Sequence, residues 1–118
     1  MKLSEIHYSN KFDDLDSQLK NFINQEKHVI FIDSKLSSII NLDPKFKIFE
    51  IEINESTKDL NTIQKIWKIM FSESLDRSSK IIGIGGGVLS DLVGFAASTF
   101  KRGANLSLVP STFLGMVD

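Results

Sequence analysis

The sequence predicts an α/β fold: a mainly parallel sheet with helices on both of its faces. Three observations carry this. Apolar runs of strand length alternate with stripes of helical period along the whole chain. The connections between them are short, as crossover units require. One of the strand-like runs, Lys80 to Ile84, leads straight into three consecutive glycines, Gly85-Gly86-Gly87, before a long apolar segment begins.

The elements follow in order. Met1 to Tyr8 reads as a short strand. Phe12, Leu15, Leu19, Phe22 and Ile23 recur at spacings of three and four, which marks an amphipathic helix. His28 to Asp33 is dense in β-branched and aromatic residues, a buried strand. Leu36 to Leu42 is a brief helix that stops near Asp43-Pro44. Ile48 to Ile53 alternates apolar with charged residues, as a partly exposed strand does. Leu60, Ile63, Ile66, Trp67, Met70 and Phe71 share one helical face, with Ser56 or Thr57 as the expected N-cap. Lys80 to Ile84 is the fourth strand and Leu92 to Phe100 an almost wholly apolar helix. Leu106 to Val109 is the last strand, and Pro110-Ser111 opens a final helix that stops at Asp118 with its apolar face still running. From that abrupt stop the chain is expected to be truncated, with residues 1–118 forming one domain.

Composition bounds the function. With 42% hydrophobic and 25% charged residues the chain is globular rather than disordered. A net charge of −1, from 14 basic and 15 acidic residues, offers no field for nucleic acid or an anionic membrane. There is no cysteine, so disulfides and thiolate chemistry are excluded. His7 and His28 lie on or beside predicted strands rather than as a ligand pair, so no metal site is expected from them. Neither a signal peptide nor a membrane span is visible, and a cytoplasmic location is expected.

Ligands of an open parallel sheet bind beyond the carboxyl ends of its strands. Asp33, the segment Gly85 to Asp91, and Pro110 to Thr112 are all delivered to that edge, and Glu55 and Lys58 follow the third strand to it. The glycine segment is not the usual G-x-G-x-x-G fingerprint, because Val88 and Ser90 stand where the last glycine belongs. It remains a glycine turn between strand and helix, whose amides suit a phosphate or pyrophosphate. A tight turn without a ligand accounts for the same glycines. Asp91, placed in the first turn of the predicted helix, suits the helix dipole whatever its function, and Lys101-Arg102-Gly103 and Ser111 have the chemistry of helix caps.

Gly85 to Gly103, reading GGGVLSDLVGFAASTFKRG, closely resembles the signature of the dehydroquinate synthases, a GGGV-x-x-D turn followed by a G-F-A-A-x-x-x-x-R-G helix. Val109 to Asp118, VPSTFLGMVD, is similar to the family's V-P-T-T-L-L-A-M-V-D, and Glu55-Ser56-Thr57-Lys58 resembles its E-x-x-K segment. The resemblance implies the Rossmann-like, NAD-binding N-terminal domain of a two-domain enzyme, whose C-terminal metal and substrate domain is absent here. It implies that Gly86, Gly87, Val88 and Asp91 meet NAD, with Ser111, Thr112 and Leu114 beside it. Glu55 and Lys58 would contact it from the preceding connection, and Asp33 near the adenosine end. Arg102 and Asp118 would serve a phosphorylated seven-carbon keto acid, Arg102 across the interface of a homodimer. No catalytic residue and no ligand for the family's divalent metal, zinc or cobalt, is expected within this chain.

By resemblance the parent is a lyase of aromatic amino-acid biosynthesis, the shikimate pathway. NAD would transiently take a hydride from the substrate, so that its oxidation assists phosphate loss, and return the hydride before ring closure. Another sugar-phosphate cyclase that makes a cyclitol, and a non-catalytic nucleotide-binding module, are the alternatives. The sequence departs from the family pattern at Ile53-Asn54, where Asp-Gly is usual, at Ser90 for a glycine, and at Ser111 for a threonine.

Overall fold

A computed structural model describes residues 2–5, 12–54, 59–100 and 102–114, with side chains for 15–54, 59–100 and 102–112. Five strands form one sheet: β1 Lys2–Glu5, β2 His28–Asp33, β3 Ile48–Ile51, β4 Lys80–Gly85 and β5 Asn105–Pro110. Their order is β1-β5-β4-β2-β3, and every pairing is parallel. The helices are α1 Phe12–Ile23, α2 Ser34–Ser37, α3 Leu60–Ser72 and α4 Gly87–Ser98, followed by a 3-10 turn over Ser111–Leu114.

The alternation of side chains along the central strands assigns the layers. Ile30, Ile32, Ile82 and Ile84 pack with Leu15, Leu19 and Ile23 of α1 and Leu36 of α2. Val29, Phe31 and Ile81, from the opposite face, pack with Ile63, Ile66 and Met70 of α3 and Leu92, Val93 and Ala96 of α4. Both faces of β2 and β4 are covered, which is why their sequences are continuous apolar runs. The α3–α4 layer is also tied by polar contacts. The Trp67 indole N–H donates to Ala96 O at 3.1 Å and to Thr99 Oγ1 at 3.0 Å, joining one helix to the other.

Several boundaries differ from the sequence reading. Helix α2 begins at Ser34 because the Asp33 carboxylate accepts from Lys35 N at 3.0 Å and caps it, and it ends at Ser37 rather than Leu42. Helix α3 is capped by Asp59, whose Oδ1 accepts from Thr62 N at 2.9 Å, and not by Ser56 or Thr57. Those two lie outside the described residues and too far upstream to cap a helix that starts at Leu60. Helix α4 starts at Gly87, immediately after the strand, so Asp91 falls beyond its first turn, which holds no acidic residue. It ends at Ser98, which leaves Arg102 past its last turn; Gly103 follows in the left-handed backbone, at φ +71°, where glycine is favoured.

Two polar groups in this frame have measurable consequences. Ser107 is fully buried in β5, and its hydroxyl has no hydrogen-bond partner among the described residues. Ser107→Ala therefore raises the midpoint of chemical denaturation, by the equivalent of about 1 kcal/mol, the low end of what an unpaired buried hydroxyl costs. A lower midpoint would mean the hydroxyl stabilises the fold.

His28, at the start of β2, faces Glu26 O through Nδ1 at 3.5 Å and accepts from Lys47 N through Nε2 at 3.1 Å. Burial first, and then the Lys47 charge, hold its pKa below the ordinary imidazole value, against the raising effect of Glu26 O and the Glu73 charge. The neutral ring is the folded form, so its contribution is complete above about pH 6.5, the unfolded value. It is lost as pH falls through the lower, folded value. Thermal midpoints recorded between about pH 5 and 7.5 should fall on the acid side, and less steeply in His28→Gln; identical slopes would remove His28 from the account.

Candidate functional site

The crossovers reverse direction between β2 and β4. From β1 to β2 and on to β3 the chain moves towards one edge of the sheet, over α1 and α2; from β3 to β4 and on to β5 it moves towards the other, over α3 and α4. The connections leaving β2 and β4 thus part to opposite faces and open a crevice at the carboxyl edge, where open α/β sheets take ligands.

A cleft of about 420 Å³ lies there, lined by Asp33, Lys35, Leu36, Ile53, Gly86, Gly87, Val88, Leu89 and Ser111. The sequence reading placed Asp33, Gly86, Gly87, Val88 and Ser111 at one site, and the fold brings all five together. Asp33 follows Ile32, which is in register with Ile84, so it stands opposite the glycine turn one strand away. Ser111, buried at the end of β5, closes the third side.

The glycines of β4 and of the turn differ in what surrounds them. A β-carbon at Gly85 would stand 3.0 Å from Leu89 Cβ, and one at Gly83 would stand 3.0 Å from Leu108 Cδ2 and 3.3 Å from Val93 Cγ1. Those two glycines let α4 lie close on β4. None of Gly83, Gly85, Gly86 and Gly87 has a positive φ, so the turn's conformation does not require glycine. A β-carbon at Gly87 would meet nothing within 4 Å. The space in front of Gly87 is open, and neither packing nor backbone geometry explains its lack of a side chain.

The amino terminus of α4 differs from those of α2 and α3 in the same direction. Asp33 and Asp59 cap α2 and α3, whereas Gly86 caps α4 with no side-chain hydrogen bond. The first amides of a helix have no partner within it, and the helix dipole adds positive potential there. Here those donors, at Gly87, Val88 and Leu89, border the crevice. This is the donor set that an anionic diphosphate needs.

Other expected residues fall elsewhere. Asp91 lines an adjoining groove of about 500 Å³ between α3 and α4, with Asp59, Leu60, Ile63, Leu92 and Phe95. Thr112 is exposed beside Ser111. Arg102 lies at the opposite end of the sheet, ahead of β5, with its guanidinium 5.9 Å from the Phe71 ring centroid. Glu55, Lys58 and Asp118, and the side chain of Leu114, lie outside the described residues. Lys35, Leu36 and Ile53 line the crevice without having been expected there. The capping role of Asp33 was the signal for Lys35 and Leu36, since it keeps residues 35 and 36 on the rim. Among the described residues no three His, Cys, Asp or Glu side chains converge as metal ligands, and no helix is long and apolar enough to cross a membrane.

Comparison with known proteins agrees with this geometry. The family model for the N-terminal part of 3-dehydroquinate synthase matches residues 48–118. A 3-dehydroquinate synthase of Campylobacter concisus is 44% identical over 84 residues, which cover 71% of this chain and 24% of that protein. One of Sulfolobus acidocaldarius is 39% identical over 97 residues, 80% of this chain and 28% of that protein. The chain thus spans about a quarter of the length of these curated relatives. Among solved structures, 2-epi-5-epi-valiolone synthase from Streptomyces hygroscopicus, determined with NAD+ and Zn2+ bound, superposes with a TM-score of 0.72 at 18% identity, over 100% of this chain and 45% of that one. That likeness establishes the fold, and the family match, over more than half of the sequence, establishes membership: the chain belongs to the 3-dehydroquinate synthase family, in its N-terminal part.

Proposed function

We propose that the protein carrying this chain is a 3-dehydroquinate synthase of the cytoplasm, an NAD- and metal-dependent carbon–oxygen lyase. It would convert a phosphorylated seven-carbon keto acid into dehydroquinate with release of phosphate. This chain would supply NAD-binding residues from its N-terminal part. The observation that carries the cofactor reading is Gly87, a glycine that neither packing nor φ requires, set at an uncapped helix terminus inside a switch-point crevice. Curated relatives named for this activity favour it over a cyclitol-forming cyclase.

NAD, when bound, supplies a hydride acceptor and donor. The residues of this chain hold it. The amides of Gly87, Val88 and Leu89 suit the pyrophosphate, and Gly87 leaves it room to approach the backbone. The Asp33 carboxylate suits ribose hydroxyls. Ser111 and Thr112 would contact the cofactor from the end of β5, and Asp91 would accept from hydroxyl or amide groups further along α4. Glu55, Lys58 and Leu114 are assigned to the same cofactor, and Asp118 to the substrate, by their matching positions in the family pattern. The described residues offer no seat for a divalent metal, and none of these roles depends on one.

Arg102 needs a different geometry. Strand β5 separates it from the crevice by six residues, about 20 Å of extended chain. Its assignment to the substrate phosphate therefore requires a partner subunit whose crevice opens towards it, so a homodimer is part of the proposal.

Two glycine variants separate ligand from fold. Calorimetry on the intact protein that carries this chain should show Gly87→Val binding NAD at least about tenfold more weakly with little change in melting temperature, because a β-branched side chain enters the open space. Gly85→Ala should do the reverse, destabilising by about 1–3 kcal/mol through overpacking against Leu89. Unchanged NAD affinity in Gly87→Val would defeat the cofactor reading.

Arg102→Lys should leave melting within about 1 kcal/mol, since an exposed cation–aromatic contact contributes little more, and should leave NAD affinity as it was. Turnover, or affinity for the phosphorylated substrate, should fall, because lysine cannot reproduce the planar bidentate grip. Wild-type kinetics would reduce Arg102 to a cover for Phe71.

A further inference from the structure

Resting on the cofactor reading above, we infer that Lys35 sets which nicotinamide dinucleotide the crevice takes, so that the site accepts the 2′-phosphorylated form, NADP, with an affinity close to that for NAD. The ribose end of such a crevice is governed by the residue that ends the second strand. An acidic residue there accepts from the 2′-hydroxyl and repels a 2′-phosphate, whereas a nearby cation accommodates the phosphate. Here both chemistries share one rim. Asp33 ends β2, and its Oδ1 accepts from Lys35 N at 3.0 Å, so the backbone of residue 35 is held within one hydrogen bond of the carboxylate.

Asp33 and Lys35 both line the cleft, and they are its only charged residues among those described. Their charges cancel, where a lone carboxylate would leave a field hostile to a dianion. One carboxylate oxygen is engaged in capping α2, which turns part of the negative charge towards that backbone and away from the cleft. The Lys35 ammonium forms no ion pair with any carboxylate among the described residues, and its exposed, flexible four-carbon stem lets it swing towards a phosphate on the ribose. The uncapped terminus of α4 takes the pyrophosphate in either dinucleotide, so discrimination rests on this rim.

The test is calorimetric titration of the intact protein with NAD and with NADP, in low and in physiological salt, for wild type and Lys35→Glu. The wild-type dissociation constants should lie within about tenfold of each other, and more salt should weaken NADP more than NAD. In Lys35→Glu the ratio of the NADP to the NAD constant should rise about tenfold or more, because a repulsive charge replaces an attractive one. Binding of NAD with NADP about a hundredfold weaker in the wild type, or a ratio unmoved by Lys35→Glu, overturns the inference and leaves the cofactor reading standing. Failure of both dinucleotides to bind overturns the cofactor reading, and this inference with it.

Discussion

Helix α4 lies close on β4, where glycine at positions 83 and 85 leaves it room. With a β-carbon at either, Leu89, Val93 or Leu108 would have to move. The close approach lets Leu92, Val93 and Ala96 fill the layer over Val29, Phe31 and Ile81. It also fixes the point at which the helix begins, directly off the end of the strand and next to β2. Since the chain reverses its direction of travel between those two strands, the connections leaving them part to opposite faces. One packing contact thus places an uncapped helix terminus in an open crevice.

The three helices with described caps divide the use of negative charge. Asp33 and Asp59 satisfy their own helix termini with their own carboxylates. At α4 the corresponding position is Gly86, and the electropositive end stays available. A carboxylate there would fill the donors and repel an anion. An acid where the helix is structural and glycine where it faces the crevice form one consistent pattern.

Much of this was legible in the sequence because period and composition speak directly of local structure. The runs His28–Asp33 and Lys80–Ile84 are continuous and apolar because both faces are covered, and the stripe from Leu60 to Phe71 has a single helical period. The start of α4 was not legible. Gly86-Gly87-Val88-Leu89 lacks the acid or hydroxyl cap that usually announces a helix. Strand order, and with it the reversal, depends on which face each crossover chooses, a tertiary property. The convergence of Asp33, Gly86, Gly87, Val88 and Ser111 followed from strand ends alone. Lys35 was hidden because its place depends on a carboxylate turning back to cap a helix of four residues. The separation of Arg102 from the crevice was hidden because neighbours in a motif can sit at opposite ends of a strand.

The chain holds a single tryptophan, and Trp67 spans the α3–α4 layer by donating to Ala96 O and Thr99 Oγ1. Its indole is hydrogen-bonded only while the two helices stay docked, and the groove beside Asp91 is walled by the same pair. The molecule therefore carries its own optical gauge: the colour of its ultraviolet emission tracks the spacing of these two helices. Any movement of α4 relative to α3 when the crevice fills is written into that signal without a label.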